Sequence, residues 1–229
     1  MADKETRDLD GASVLLLGAT GVLGRELGRQ LLKAGARLTL VGRTESKLAE
    51  LDLPGLKVAG DIADVDACTE AVWETVTRVG RIDGVVNAAG VVAFGNLADL
   101  VDTTIDELVT TNLIGPVRMI RTVIPELEDG GFIANISAVV GEHPTAGMAF
   151  YSATKAALSA IDTALARELR PRRIDVIDAR PPHTETGLAN RAIAGEPPRL
   201  PTGKAPETVA ARILEAIRKR ERIVSAKDF

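Results

Sequence analysis

Ser13-Val14-Leu15-Leu16-Leu17-Gly18-Ala19-Thr20-Gly21-Val22-Leu23-Gly24 is the stretch that decides the fold of this 229-residue chain. Residues 13–17 are a short apolar run that reads as a strand buried on both faces. Glycines at 18, 21 and 24 follow at once, and a helical pattern then carries Leu27, Leu31 and Leu32. Glycines three apart at a strand-to-helix turn permit a sharp bend and let backbone N–H groups approach a ligand closely. The start of the helix then favours an anion such as a pyrophosphate. Glycine turns also join elements without any ligand, but between this strand and this helix the pattern is moderately specific for a dinucleotide.

The same alternation continues along the chain. Apolar runs at residues 37–41, 56–60, 82–87, 131–137 and 174–179 read as strands, and residues 222–225 as a short edge strand. Helical patterns lie between them at residues 44–51, 66–79 and 103–128, from Tyr151 to about residue 169, and at 206–220. In the 66–79 helix the inward face is expected at Ala67, Ala71, Val72, Val76 and Val79. The 103–128 helix is expected to be interrupted or kinked near Pro116. No internal repeat or linker interrupts the pattern, so one domain of alternating strands and helices is expected.

Bulk composition narrows the function classes. The apolar fraction is 45% and the aromatic fraction only 3%, so Ala, Val, Leu and Ile build the core. A formal net charge of -4 offers no electrostatic footprint for nucleic acid or an anionic membrane. Cys68 stands alone, which argues against a disulfide framework or a metal cluster. Residues 1–10 are charged, form no signal peptide and are expected to be flexible. No run of about 20 apolar residues exists to span a bilayer. A soluble, cytoplasmic protein is expected.

Several residues carry chemistry. The second strand ends in Gly42-Arg43-Thr44, where a site for NAD usually has an acidic residue on the adenosine ribose. A guanidinium there suits a 2′-phosphate in fork geometry, so NADP(H) is favoured, with NAD(H) possible. Asn87-Ala88-Ala89-Gly90 stands at the carboxyl end of the fourth strand, where ligands of parallel sheets bind, and small residues keep a cleft floor open. Asn112 lies mid-helix, a poor position for Asn unless its amide has a partner. Tyr151 and Lys155 are four apart on one helix face. A neighbouring ammonium favours the phenolate, which suits the pair to proton transfer at a carbonyl or alcohol oxygen. Residues 181–206, rich in Pro, Gly and Thr, have no period and read as a lid whose Leu188, Ala189, Ile193 and Leu200 suggest a partly apolar substrate.

Taken in order, Gly18 to Gly24, Asp61, Asn87 to Gly90, Asn112, Tyr151 with Lys155, and Pro181 through Thr186 resemble the short-chain dehydrogenase/reductase family over nearly the whole chain. The resemblance implies a Rossmann-type, doubly wound parallel sheet in three α/β/α layers, with seven strands. It implies hydride transfer between a nicotinamide and a carbonyl–alcohol pair, with Tyr151 as acid/base. Lys155 would hold the nicotinamide ribose and lower the phenol's pKa, and Asn112 would position the water of a proton relay. Cofactor contacts are implied at Gly18, Thr20, Gly21, Val22, Leu23 and Gly24, at Asp61 (adenine) and Ile62, at Asn87, Ala88, Ala89 and Gly90, and at Pro181, Thr184 and Thr186 (the carboxamide). Relatives usually assemble as dimers or tetramers through the helices carrying Asn112 and Tyr151. Three departures stand out. The glycine spacing is that of the family's longer members, and Pro182 stands where many members have Gly. Ala138 occupies the usual place of the catalytic serine, so the neighbouring Ser137 is expected to supply that hydroxyl, with His143 and Thr145 as weaker alternatives. Ala138 also motivates a different reading, a non-catalytic NADP(H)-binding sensor or scaffold. A third reading is a structural homo-oligomer subunit.

Overall fold

The computed structural model describes residues 6–229. Seven parallel strands form one sheet in the order β3-β2-β1-β4-β5-β6-β7. They are β1 (Ser13–Leu17), β2 (Arg37–Gly42), β3 (Leu56–Ala59), β4 (Ile82–Asn87), β5 (Leu127–Ile136), β6 (Asp175–Ala179) and β7 (Ile223–Val224). The chain winds outward from β1 to β3, then crosses back to place β4 beside β1. That reversal leaves a crevice beyond the carboxyl ends of β1 and β4, where ligands of open parallel sheets bind.

Alternation along β1 explains the layering. Val14 and Leu16 join one core with Leu27 and Leu31 of α1 (Val22–Lys33) and with Val209, Ile213 and Ile217 of α8 (Pro206–Lys219). Leu15 and Leu17 join the other, with Cys68 and Val72 of α3 (Val65–Val79), Met119 and Val123 of α5 (Gly115–Val123), and Leu165 of α7 (Ala149–Glu168). All five β1 side chains are buried. Each such Val or Leu contributes about 1.5–3 kcal/mol through removal of apolar surface from water. Among the described residues, no helix is long and apolar enough to cross a membrane.

Four sequence expectations need correction. The buried face of α3 is Cys68, Ala71, Val72 and Thr75; Ala67, Val76 and Val79 lie at its half-buried margin. The helix expected at 103–128 is interrupted next to Pro116, by a wide turn over Thr110–Ile114 between α4 (Asp102–Val109) and α5, but it ends at Val123, and Leu127 and Glu128 already belong to β5. Pro116 has no N–H for the Asn112 carbonyl, and the Gly115 N–H reaches back five residues to the Thr110 carbonyl. A short helix, α6 (Val139–Glu142), occupies part of the expected loop after β5. Finally, the segment expected to be flexible is anchored near its end. Residues 1–5 lie outside the described residues, but Arg7 donates to Asp175 Oδ2 at 2.6 Å and Leu9 is buried in the core.

Candidate active site

The glycine turn places the first wall of the site. Gly18 has φ +72°, and a Cβ added there would lie 2.7 Å from the Ala89 backbone nitrogen, so only glycine lets the β1 and β4 ends meet this closely. Gly21 caps α1 with no side-chain hydrogen bond, which leaves the helix's first N–H groups for a ligand. Gly21, Val22, Leu23 and Gly24 line a cavity of about 360 Å³, with Ala88, Ala89 and Gly90 on its floor and Tyr151 and Lys155 opposite. Pro181, Thr184 and Thr186 line the same cavity from the segment after β6.

Tyr151 and Lys155 come together as the sequence implies, but their electrostatics differ. Lys155 Nζ donates to the Ile136 carbonyl at 2.9 Å and lies 5.9 Å from the centroid of the Tyr151 ring. Burial pushes the phenol up to about 12 and the amine down to about 8, the Asp178 carboxylate opposing the latter. The expectation of a phenol drawn toward neutrality by its lysine is therefore corrected. Loss of water dominates because both groups sit in the interior, at 7% and 4% exposure. The pair rests as a neutral phenol, a proton donor, beside an amine that is still mostly protonated at pH 7.

Asn112 is buried at 1% exposure. Its Oδ1 accepts from the Val91 N–H and its Nδ2 donates to the Val91 carbonyl, both at 2.9 Å. The amide thus has the partner that a mid-helix Asn requires, and it pins the chain just after Gly90. A Cβ on Gly90 would stand 3.2 Å from Asn112 Oδ1 and 3.5 Å from Lys155 Nζ, so this glycine keeps the cleft floor open beside the lysine.

Ser137 does not serve as expected. Its hydroxyl donates to Asp178 Oδ1 and lies 3.2 Å from the Ala179 carbonyl. A hydroxyl has one proton to donate, and here a buried carboxylate takes it, so none is left for a substrate oxygen. Ala138, also on the cavity wall, brings only a methyl group. Of the weaker candidates, His143 is exposed and Thr145, which lines the cavity, donates to the His143 carbonyl at 3.2 Å.

The residues assigned to the adenosine end do not line this cavity. Thr20 is half-buried beside Gly42, and Arg43 is exposed just beyond β2. Asp61 follows β3 and accepts from the Ala63 N–H at 2.9 Å. The Ile62 side chain is core, packed toward Gly115, so only its backbone remains for a ligand. The Asn87 side chain also turns inward, donating to Asn135 Oδ1 at 3.2 Å.

The lid is docked: the Ile193 N–H donates to the Val92 carbonyl and the Phe94 N–H to the Ala194 carbonyl, both at 2.9 Å. Leu188, Ala189 and Leu200 line the cavity as the sequence suggests, whereas Ile193 does not. Sequence reasoning missed Val92, Phe94, Val140 and Met148, which with Tyr151 form an apolar cluster at this end. The apolar run Val91-Val92-Ala93-Phe94 directly after Gly90 was the available signal. Among the described residues, no group of three His, Cys, Asp or Glu is placed to hold a metal ion.

Comparison with known proteins places these features in a family. The model of the short chain dehydrogenase family matches residues 12–197. The chain is 32% identical to dehydrogenase/reductase SDR family member 7B of Xenopus tropicalis, covering 93% of this chain and 76% of the relative. It is 32% identical to ipsdienol dehydrogenase of Ips pini, over 78% of this chain and 77% of that one. Among solved structures, a short chain dehydrogenase of Burkholderia cenocepacia J2315 in complex with NADP superposes with a TM-score of 0.84 at 23% identity, covering 97% of this chain and 98% of that one. A blue fluorescent protein from a metagenomic library, in complex with NADPH, superposes with a TM-score of 0.83 at 22% identity, over 97% and 99% of the two chains.

Proposed function

The chain belongs to the short-chain dehydrogenase family, and from that premise we propose an NADP(H)-dependent oxidoreductase that interconverts an apolar ketone or aldehyde and its alcohol. The observation that carries this reading is one cavity that gathers the uncapped start of α1, the Tyr151 phenol and the Lys155 amine. The cleft fits a dinucleotide: Gly18 allows close backbone approach, and Gly90 leaves a cradle that a Cβ would fill. The N–H groups at the start of α1 would hold the pyrophosphate, Lys155 the nicotinamide ribose, and Arg43 the 2′-phosphate that distinguishes NADP(H) from NAD(H). Bound there, the reduced nicotinamide supplies a hydride.

The chain's own part is to orient the carbonyl and to manage the proton. As the carbonyl carbon gains hydride its oxygen becomes an alkoxide, and the neutral Tyr151 phenol gives that oxygen its proton. The positive Lys155 side chain stabilises the phenolate left behind. The Asn112 carbonyl, deprived of its ordinary helical donor by Pro116, would hold a water that returns the proton from solvent. Val92, Phe94, Val140, Met148, Leu188 and Leu200 surround the substrate end and exclude water. The same residues run the reverse reaction when the alcohol and oxidised cofactor are supplied. Pairing of copies through the helices that carry Asn112 and Tyr151, as a homodimer or homotetramer in the cytoplasm, completes the proposal.

A second reading, a non-catalytic NADP(H)-binding sensor, is favoured by Ala138 on the cavity wall and by the engagement of the Ser137 hydroxyl with Asp178. One experiment separates the two. NADPH consumption is followed by absorbance against a panel of apolar ketones and aldehydes, with wild type and Tyr151→Phe. Turnover that disappears in the variant while NADPH binding persists supports the enzyme. Binding without turnover across the panel supports the sensor.

A further inference from the structure

A buried chain of hydrogen bonds runs from the cleft floor into α7, and the chemistry proposed above leaves it unused. The Ala89 N–H donates to Asn87 Oδ1 at 3.2 Å. Asn87 Nδ2 donates to Asn135 Oδ1 at 3.2 Å, and Asn135 Nδ2 donates to Asp162 Oδ1 at 2.6 Å. The two asparagines are register partners on β4 and β5. Asn87, Asn135 and Asp162 are 1%, 0% and 2% exposed, so water does not compete for their amides.

The direction of this chain is forced. A backbone N–H can only donate, so Asn87 must present its oxygen to Ala89 and its NH₂ to Asn135. Asn135 must then present its own oxygen to Asn87 and its NH₂ to whatever stands at position 162. An acceptor is required there, and a side chain without one would leave a buried donor unpaired or let both amides turn over. At the other end, the Ala89 nitrogen is the atom that Gly18 approaches so closely that a Cβ would stand 2.7 Å away. Ala89 also lines the cavity.

We propose that Asp162 is a positioning residue for the cofactor cleft: as the terminal acceptor it fixes both asparagine amides, and through them the Ala89 backbone against the glycine turn. This rests on the reading of the cleft as a nicotinamide-nucleotide site. Asp162 meets Asp178 and Arg180 from the β6 side, and its Oδ2 has no hydrogen-bond partner among the described residues. Burial pushes its carboxyl up to about 8, so at pH 7 it is mostly neutral and an asparagine amide is its closest analogue.

The test uses the full chain and NADPH, with affinity read from nucleotide fluorescence and kcat measured at saturating NADPH on whichever carbonyl compound the protein reduces. Asp162→Leu removes the acceptor, and Asp162→Asn retains it. Asp162→Thr and Asp162→Val repeat the comparison with two side chains of one shape, and decide the matter if the leucine variant does not fold. Loss of one buried hydrogen bond of about 1.4 kcal/mol corresponds to roughly tenfold weaker NADPH binding. That loss is expected in the Leu and Val variants, with kcat unchanged, while Asn and Thr stay within about twofold of wild type. A folded Leu or Val variant that binds NADPH like wild type overturns the assignment, as does an Asn variant as weak as Leu. Wild-type protein that binds no nicotinamide nucleotide refutes the functional reading itself, a result distinct from either.

Discussion

Ser137→Ala is the substitution that best separates a catalytic hydroxyl from a structural one. Ser137 is 3% exposed and donates to Asp178, itself 2% exposed. The other oxygen of Asp178 accepts from Arg180 Nε at 2.7 Å, and Arg180 Nη1 donates to Glu142 Oε1 at 2.5 Å. Removing the hydroxyl therefore strips one donor from a buried carboxylate that still keeps its arginine. A hydrogen bond to a charged group contributes about 1.5–3 kcal/mol. For a chain of this size each kcal/mol moves the thermal midpoint by about 2–4 °C, so a loss of about 2 kcal/mol lowers it by roughly 4–8 °C. Calorimetry and urea unfolding at pH 7 measure that loss. Steady-state turnover at a temperature well below both midpoints measures the rate, which is expected to change by less than about threefold. A hydroxyl that donated to the reacting oxygen would behave oppositely, with turnover falling about 10²–10³-fold and stability unchanged. That outcome would refute the assignment of Ser137 to Asp178.

Other substitutions probe the remaining parts. Ala138→Ser places a hydroxyl on the cavity wall in an extended backbone that any residue adopts, and is expected to raise kcat on carbonyl substrates; an unchanged rate would show that the wall is too far from the reacting oxygen. Arg43→Ala is expected to weaken NADPH by about tenfold or more, from loss of a charge-assisted pair, and to leave NADH nearly unchanged in parallel titrations. Gly18→Ala must hold a side chain at φ +72° with its Cβ against Ala89, and is expected to abolish NADPH binding and lower the thermal midpoint. Asp162→Asn is expected to stabilise the protein in a pH-dependent way. Below pH 3.8 folded and unfolded chains both hold this proton; between there and about 8 the unfolded chain loses it while the fold keeps it, so wild-type stability falls across that window and levels off above it. At pH 7 the penalty is at most about 4 kcal/mol, reduced by relaxation and water entry. Urea unfolding of both proteins at pH 5, 7 and 9 checks it, and equal pH profiles would show that the carboxyl is not buried in neutral form.

Much of this protein was legible in its one-dimensional order. The run from Ser13 to Leu17 is apolar at every position because both faces of β1 are covered, and strand burial of that kind leaves its mark residue by residue. The glycines at 18, 21 and 24 declare a turn that approaches a ligand, since backbone freedom is local. The four-residue spacing of Tyr151 and Lys155 is likewise a property of one helix. What the chain order did not contain was where neighbouring strands and helices direct their polar side chains. Only the register of β5 against β6 and the packing of α7 behind them turn the Ser137 hydroxyl to Asp178 and seat Asn135 between Asn87 and Asp162. Burial, a tertiary quantity, likewise set the resting state of the Tyr151 phenol against the pull expected from its lysine. Local backbone conformation and periodicity are encoded within a few residues, whereas hydrogen-bond partners and desolvation depend on residues tens of positions away, and those only the folded chain brings together.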